Sequence, residues 1–466
     1  MSGGKTGFEL TRRVAVTLAL IAIGGLAIAL APIPGASTRA SIGLAIVFAT
    51  VAMFATSVLP GLAIAGIFFM LAFGSGVVPP MVILAGFWSN AIMLIFGGLV
   101  IGAAAERSGL GRYVARSLMQ RFAGSYPLYL FGILSGTLAL SFLVPSTMGR
   151  LAITIPIVTA VAKEAGYVPG SKGYAASILT AVVGNFTTSY AILPANLVNI
   201  IALGAGETIY GPLLQYAEYL LLCGPVLGLA KGATFLALAL LLFPSPAPLT
   251  ATAAEPLVLG HPARRLAILL AVTVTLWATD VLHGLKPGWI ALGAALLCLL
   301  PPVALVGLRE SFDLNRLMGV ISVPAILGVA AVLTHSGAGK LIAGAVTSLV
   351  PLDGQSPTFG FVCMALISSL GAIIGTTVGS IAIVTPLIGD VARATGLPVK
   401  LGLVAEMTGL QAIFFHFEAV PVMVGLAMGR LGIGQATRMM VPLALVGLLV
   451  VLPLMVLWLK LLGRLP

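Results

Sequence analysis

The sequence predicts an all-α polytopic membrane protein of about 11 transmembrane helices, folded as two inverted repeats that each hold a re-entrant hairpin and a broken helix. Three observations carry this. Of the 466 residues, 59% are hydrophobic and only 8% charged, where a soluble domain carries about 25% charged residues. Two apolar stretches break in their middle at a short polar tip, Val144-Pro145-Ser146-Thr147-Met148-Gly149-Arg150 and Gly375-Thr376-Thr377-Val378-Gly379-Ser380. The segments ahead of the two tips differ in charge. The first holds Arg107, Arg112, Arg116 and Arg121 against Glu106, and the second little beyond Lys340. Cytoplasmic loops concentrate Lys and Arg, so the two segments, and the hairpins behind them, are expected on opposite sides of the bilayer.

Composition also excludes. The net charge of +11 sits in short loops between apolar runs, which is the positive-inside pattern, so no nucleic-acid partner is expected. Cys223, Cys298 and Cys363 lie inside apolar runs without a CxxC or Cys/His pairing, which gives neither a disulfide framework nor a metal cluster. Gly 56 and Pro 29 are high together, as where helices pack closely or break within a bilayer.

In chain order, Lys5, Arg12 and Arg13 place the N-terminus in the cytoplasm, and 18–31 continues an apolar run that is read as a retained crossing rather than a cleaved signal. Crossings are expected at about 13–31, 40–58, 60–78 and 88–106, each able to span ~30 Å of hydrocarbon. Residues 113–122 alternate Arg116 and Arg121 with Val114, Leu118 and Met119, the pattern of an amphipathic surface helix or of a solvated loop helix. The first hairpin covers about 125–163, with Pro145 ending the incoming arm and Ser146 or Thr147 capping the outgoing one. Free amides at that cap point a positive dipole end at an anion, and Arg150 adds a charge one turn on. A kinked core helix with an ordinary loop is the plainer reading.

The stretch 173–204 is interrupted by Gly184-Asn185-Phe186-Thr187-Thr188-Ser189-Tyr190 and by Pro194-Ala195-Asn196, which predicts an unwound helix. Thr187, Thr188 and Asn196 are candidate ligands there, or interhelical hydrogen-bonding glue. A crossing at about 213–243 closes the first repeat, 1–243. Residues 244–265, rich in Pro, Ala and Thr with Arg264 and Arg265 at the end, read as a cytoplasmic linker to the second repeat, 266–466. There, crossings at about 266–283, 288–306 and 318–335 enclose a cytoplasmic loop with Arg309, Glu310, Asp313 and Arg316. Asp280 and His283 fall at a crossing's end, at the interface. Ser336-Gly337-Ala338-Gly339-Lys340 repeats Ser108-Gly109-Leu110-Gly111-Arg112. The second hairpin, about 357–395, aligns Thr376 and Thr377 with Ser146 and Thr147, Gly379 with Gly149, and Pro386 with Pro156. A broken stretch at 411–421, a cytoplasmic loop with Arg430 and Arg438, and a crossing at 440–459 complete the chain. In the second break His416 and Glu418 could carry a proton or meet a substrate, or form a structural pair, and Glu406 could join them.

Inverted repeats with breaks at the midplane are the architecture of secondary transporters. On its tips and breaks the chain resembles the divalent anion/sodium symporter family, close to the bacterial di- and tricarboxylate antiporters. That family carries Ser-Asn-Thr at each tip. Here Pro-Ser146-Thr147-Met148-Gly149-Arg150 keeps the Pro, Ser and Arg, Thr376-Thr377-Val378-Gly379-Ser380 is a hydroxylated variant, and Leu193-Pro194-Ala195-Asn196-Leu197 looks like the family's Pro-Pro-Asn-Leu. The resemblance implies a homodimeric elevator transporter of small anions in a bacterial inner membrane. It implies substrate at Ser146, Thr147, Arg150, Thr376, Thr377, Thr187, Thr188, Asn196 and Pro421. It implies ion coupling around Ser146, Gly149, Asn185, Thr376, Gly379, His416 and Glu418, and no cofactor other than sodium, held at Ser146, Thr147, Thr376 and Thr377. The missing Asn residues weigh against sodium, because a hydroxyl replaces an amide carbonyl. Exchange of anions or proton coupling then stands beside it. Arg150 has three readings: it meets the anion, it replaces a coupling cation, or it pairs with a buried acid. Sulfate or arsenite transport, cation/proton antiport, a channel and an intramembrane enzyme are the rivals. No tip acid, filter ring, HExxH or Gly-Xaa-Ser-Xaa-Gly supports the last three.

Overall fold

A computed structural model describes residues 12–466 apart from 32, 57, 123, 248–257, 301–304, 312–313, 350–351 and 353. Lys5, Asp313 and the middle of the linker lie outside the described residues, as do the side chains of Arg12, Arg13, Arg309 and Arg316. Every regular element among the described residues is helical. In a bilayer this is the expected outcome, since an apolar segment with no water must satisfy its amides and carbonyls internally.

The first helices, Arg12–Leu30, Thr38–Thr56 and Gly61–Ser75, fall close to the expected crossings. The fourth, Asn90–Ser108, starts on a Ser89 cap that accepts from the Ile92 amide and ends on Gly109 at φ 79°, a left-handed stop. The amphipathic helix Leu110–Arg121 follows, burying Ala115 and Met119 and exposing Arg112 and Arg121. It packs against the incoming hairpin arm Tyr126–Leu143. The outgoing arm is Thr147–Glu164, and the second hairpin has arms Pro357–Ile374 and Thr377–Thr395, the latter passing a 3₁₀ turn at Thr385–Leu387. Among the described residues seven helices are long and apolar enough to cross a membrane, and three of these are hairpin arms. Length and composition therefore do not distinguish a crossing from an arm; only where its ends go does.

Side-chain contacts fix which ends share a face. Arg107, at the end of Asn90–Ser108, pairs with Glu310. The Gly307 amide and this guanidinium hold the Glu310 carboxyl below the usual carboxylate range. Helix Leu314–Ser336 starts a few residues past Glu310 and its 23 residues extend ~35 Å before Lys340 is reached. The surface helix Ala338–Leu349 is thus on the opposite face from Leu110–Arg121. At the Arg107 face, Tyr126 donates to Phe243 O and Tyr174 to Gly429 O. At the other face, Lys400 pairs with Glu218 at 2.5 Å and Thr358 donates to Pro466 O. The hairpins therefore enter from opposite faces, as the charge asymmetry predicts.

Each repeat ends in a long helix interrupted by a π-helical segment: Tyr216–Leu242 at Gly224–Ala230, and Ile433–Leu461 at Gly447–Val451. The sequence reading took both as unbroken. Asp280 also departs from expectation. It is fully buried rather than interfacial, and its carboxylate accepts from the Tyr216 amide at 2.6 Å and the Ala217 amide at 3.3 Å. The start of Tyr216–Cys223 has no cap of its own, and a carboxylate on a neighbouring element satisfies its orphan amides and dipole.

Candidate site where two hairpin tips meet two helix breaks

The two tips are built alike. Pro145 cannot continue the incoming arm, which stops at Leu143, and Ser146 turns extended and accepts from the Gly149 amide at 3.2 Å. Thr376 is extended in the same way and accepts from the Gly379 amide at 3.0 Å. Serine and threonine are both good N-caps, so the change of residue keeps the geometry. The next residue in each tip docks on the break of its own repeat. The Thr147 hydroxyl donates to Ala195 O at 3.3 Å, and the Thr377 hydroxyl to Glu418 O at 3.1 Å. Ala195 and Glu418 each close a three-residue 3₁₀ turn, Leu193–Ala195 and His416–Glu418, ahead of the half-helices Leu197–Tyr210 and Val420–Met428. Four helix N-termini are thereby gathered in two mirrored pairs, the positive dipole ends that suit an anion. Ser146, Thr376 and Pro421 are half-buried, whereas Thr147, Thr377, Gly149 and Gly379 are buried.

Arg150 is the residue in which the repeats differ most, its counterpart one turn past the second tip being Ser380. It is fully buried. Its Nη1 donates to Val144 O at 2.9 Å and Ala195 O at 2.8 Å, Nε to Asn185 Oδ1 at 2.9 Å, and Nη2 to Thr147 Oγ1 at 3.3 Å. Two backbone carbonyls, an amide carbonyl and a hydroxyl form an oxygen cage of the kind a small cation takes, with no carboxylate bonded to the guanidinium among the described residues. Among the described residues Arg150 pairs with no buried acid, and its side chain is fully enclosed. The arginine instead ties tip to break.

The uncharged polar residues of the first break face inward. Thr187 and Thr188 donate to Val183 O and Gly184 O, both at 2.8 Å, closing on their own helix turn, which is the structural alternative to a ligand role. Asn196 caps Leu197–Tyr210 through the Val198 amide and donates to the Ser189 hydroxyl at 3.1 Å. Sequence reasoning missed Asn199, whose Nδ2 reaches the carbonyls of Ser189, Tyr190 and Ile192 at 3.1 to 3.4 Å. Its only signal was a second amide three residues after Asn196. These residues supply the partners an unwound backbone needs when no water is present. Asn185 Nδ2 has no partner and sits beside the arginine cage.

In the second break Glu418 and His416 do not bond each other. Glu418 Oε1 accepts from the amides of Phe414 and Phe415 at 3.0 and 2.8 Å, while Oε2 is buried without a partner. His416 is half-buried, its ring edge-on to Phe417, which in turn stacks on Phe415, both phenyl rings being exposed. Three further charged residues belong to the neighbourhood. Glu106, read from the sequence only as the lone acid of a basic surface segment, brings a carboxylate oxygen within 3.1 Å of where a Cβ on Gly149 would stand. Glu406 is fully buried and takes the Thr385 hydroxyl at 2.9 Å on both oxygens. It joins the second hairpin rather than the His416–Glu418 turn. Lys231, fully buried in Tyr216–Leu242, escaped the sequence reading, although a lysine amid 27 apolar-rich residues was a signal in plain sight.

Comparison with known proteins agrees with this architecture. A membrane protein of Cupriavidus necator is 25% identical over 395 residues, covering 78% of this chain and 73% of its own length. The crystal structure of the Alcanivorax borkumensis YdaH transporter, described as having an unusual topology, superposes with a TM-score of 0.56 over 82% of this chain and 88% of that one. At 16% identity this is a likeness of fold. The family model for the sodium:sulfate symporter transmembrane region matches residues 11–465, so this chain belongs to that family of membrane transporters.

Proposed function

We propose that the protein is a secondary active transporter that carries small organic anions, di- or tricarboxylates, across the bacterial inner membrane. It does so by an elevator movement of the domain that bears the two hairpins. The observation that carries this reading is the mirrored pair of capped tips, each fastened by one threonine hydroxyl to the break of its own repeat. Such a pair offers amide dipoles and the half-buried Ser146 and Thr376 to a dianion from two opposite sides. A homodimer held by the first helices of each repeat, and an N-terminus in the cytoplasm, complete the proposal.

Arg150 acts in it as a resident cation. Its charge is fixed at the first tip and held by four oxygens, where a sodium ion would otherwise be required to offset the substrate. The first tip then runs without sodium, whereas the second has Ser380 in place of arginine. Sulfate is the second reading, favoured by the family to which the chain belongs. Uptake of radiolabelled succinate, citrate and sulfate into proteoliposomes tests both. The drives are a sodium gradient, a proton gradient, or unlabelled anion inside. Uptake of succinate or citrate supports the organic-anion reading; sulfate uptake alone replaces it, and no uptake under any drive refutes both.

A further inference from the structure

Lys231 follows directly on the π segment Gly224–Ala230, near the middle of a 27-residue span, and its ammonium meets the start of the second π segment, Gly447–Val451. A π segment loosens the carbonyl ladder of its helix and is frequent at functional sites. Lys231 Nζ donates to Leu443 O at 3.2 Å, its one hydrogen bond among the described residues. A Cβ built on Gly447 would stand 2.8 Å from Lys231 Nζ, 3.2 Å from Gln411 Nε2 and 3.6 Å from Gln411 Oε1, so lysine, amide and glycine share one notch. Gln411 is the first residue of the second break and is fully buried. Its Nε2 donates to Thr408 O at 3.0 Å, and its Oε1 has no partner. The notch thus sits at the C-terminal, negative end of Val399–Leu410, the kind of half-helix end that holds coupling cations in transporters.

The two buried cations contrast. Arg150 has four oxygen partners, whereas the Lys231 ammonium has three donors, one acceptor among the described residues and an unpartnered amide oxygen in the same notch. An ammonium so sparsely matched inside a bilayer is costly, and lysine, unlike arginine, can exist there as a neutral amine. We propose that Lys231 binds and releases the coupling proton, with Gln411 Oε1 as the acceptor that receives the ammonium when it is charged. This rests on the transporter reading above and names its coupling ion.

Among the described residues the other titratable groups around the notch make their contacts elsewhere, with Glu418 Oε2 left without a partner. On the elements packed against Lys231–Leu242, Arg438 lies over the Phe243 ring at the far end of that helix. Tyr126 donates to Phe243 O and Tyr129 shares a hydrogen bond with Ser177. The π segments and residues 180–188 carry no titratable side chain. Nearer by, Tyr190 donates to Leu410 O and Tyr219 to Tyr190 O. Cys223 is buried, Glu418 is held by its own loop, and His416 lies against Phe417.

The test compares wild type, Lys231→Met and Gln411→Leu in proteoliposomes, with whichever of radiolabelled succinate, citrate and sulfate the wild type exchanges. Counterflow against internal unlabelled anion is expected to persist in Lys231→Met, while the stimulation of net uptake by an inward proton gradient is abolished. Gln411→Leu weakens that stimulation. Proton stimulation that survives in Lys231→Met overturns the proposal, as does a wild type that exchanges anion yet ignores the proton gradient. A substrate-free arm separates this from a failure of the transporter reading. In ¹³C-lysine-labelled protein the Lys231 Cε resonance, assigned by its absence from Lys231→Met, should move over a pH range in which the other lysines stay still. A resonance that stays fixed overturns the proposal even where transport is found. One that moves sustains it even where none of the three anions is carried.

Discussion

Replacing Arg150 by alanine tests the resident-cation reading most directly. The guanidinium is the donor to four acceptors. Ala195 O keeps the Thr147 hydroxyl, and that hydroxyl keeps its own bond, so these two remain satisfied. Val144 O and Asn185 Oδ1 are left buried without the donor they had. At about 1–3 kcal/mol for each such group, the loss comes to about 2–6 kcal/mol, before any cavity cost. An oxygen cage vacated by a cation can also be refilled by one. Purified Arg150→Ala should therefore melt well below wild type in sodium-free buffer and recover part of the difference as sodium is raised, with uptake following the same course. Methylguanidinium should rescue as well, because it restores the lost donors. Lithium and potassium would report how closely the cage fits the ion. A variant that melts and transports like wild type without sodium would refute the reasoning, because the cage would then be neither a stabiliser nor a cation site. A destabilised variant that no cation rescues would keep the structural role and remove the electrostatic one.

Two further outcomes follow from the packing and the topology. A Cβ on Gly409 would stand 2.0 Å from Ala365 O, a backbone atom that cannot move aside, so Gly409→Ala should force the second broken helix away from its hairpin arm and lower Tm sharply. Gly432→Ala, with open space around it, should leave Tm unchanged, and equal melting of the two would refute that packing. Single cysteines placed after Arg116 and after Lys340, in a background with Cys223, Cys298 and Cys363 replaced, should react with an impermeant maleimide from opposite sides of the membrane. Labelling from one side would remove the inverted repeat.

Much of the site was legible in the chain because its logic is local. A proline that ends an arm and a serine or threonine that caps the next helix act within a few residues, and both tips are capped at the expected position. Repetition of that pattern, with Pro156 matching Pro386, established the repeat. The difference in arginine content between the two surface segments predicts its inversion, since loop charge is read along the sequence. What the sequence could not give is which acceptor each donor finds across the fold. Arg150 had three readings from its position alone. Its partners Ala195 and Asn185 lie 45 and 35 residues away, and only their convergence shows what the guanidinium binds. Thr187 and Thr188 looked like ligands by composition, and whether a hydroxyl faces a cavity or its own turn depends on helix rotation. His416 and Glu418 are neighbours in sequence, yet the carboxylate turns onto its own loop amides. Glu106, Glu406 and Lys231 were each a single charge with no local pattern, and their meaning comes from what packs against them. The chain itself thus determined the helical class, the capped tips and the breaks, because burial of apolar length and capping are short-range demands. Tertiary structure alone decided which buried charges are matched by oxygen and which are left wanting, because in a medium without water every polar group must be satisfied by whatever distant segment the fold brings to it.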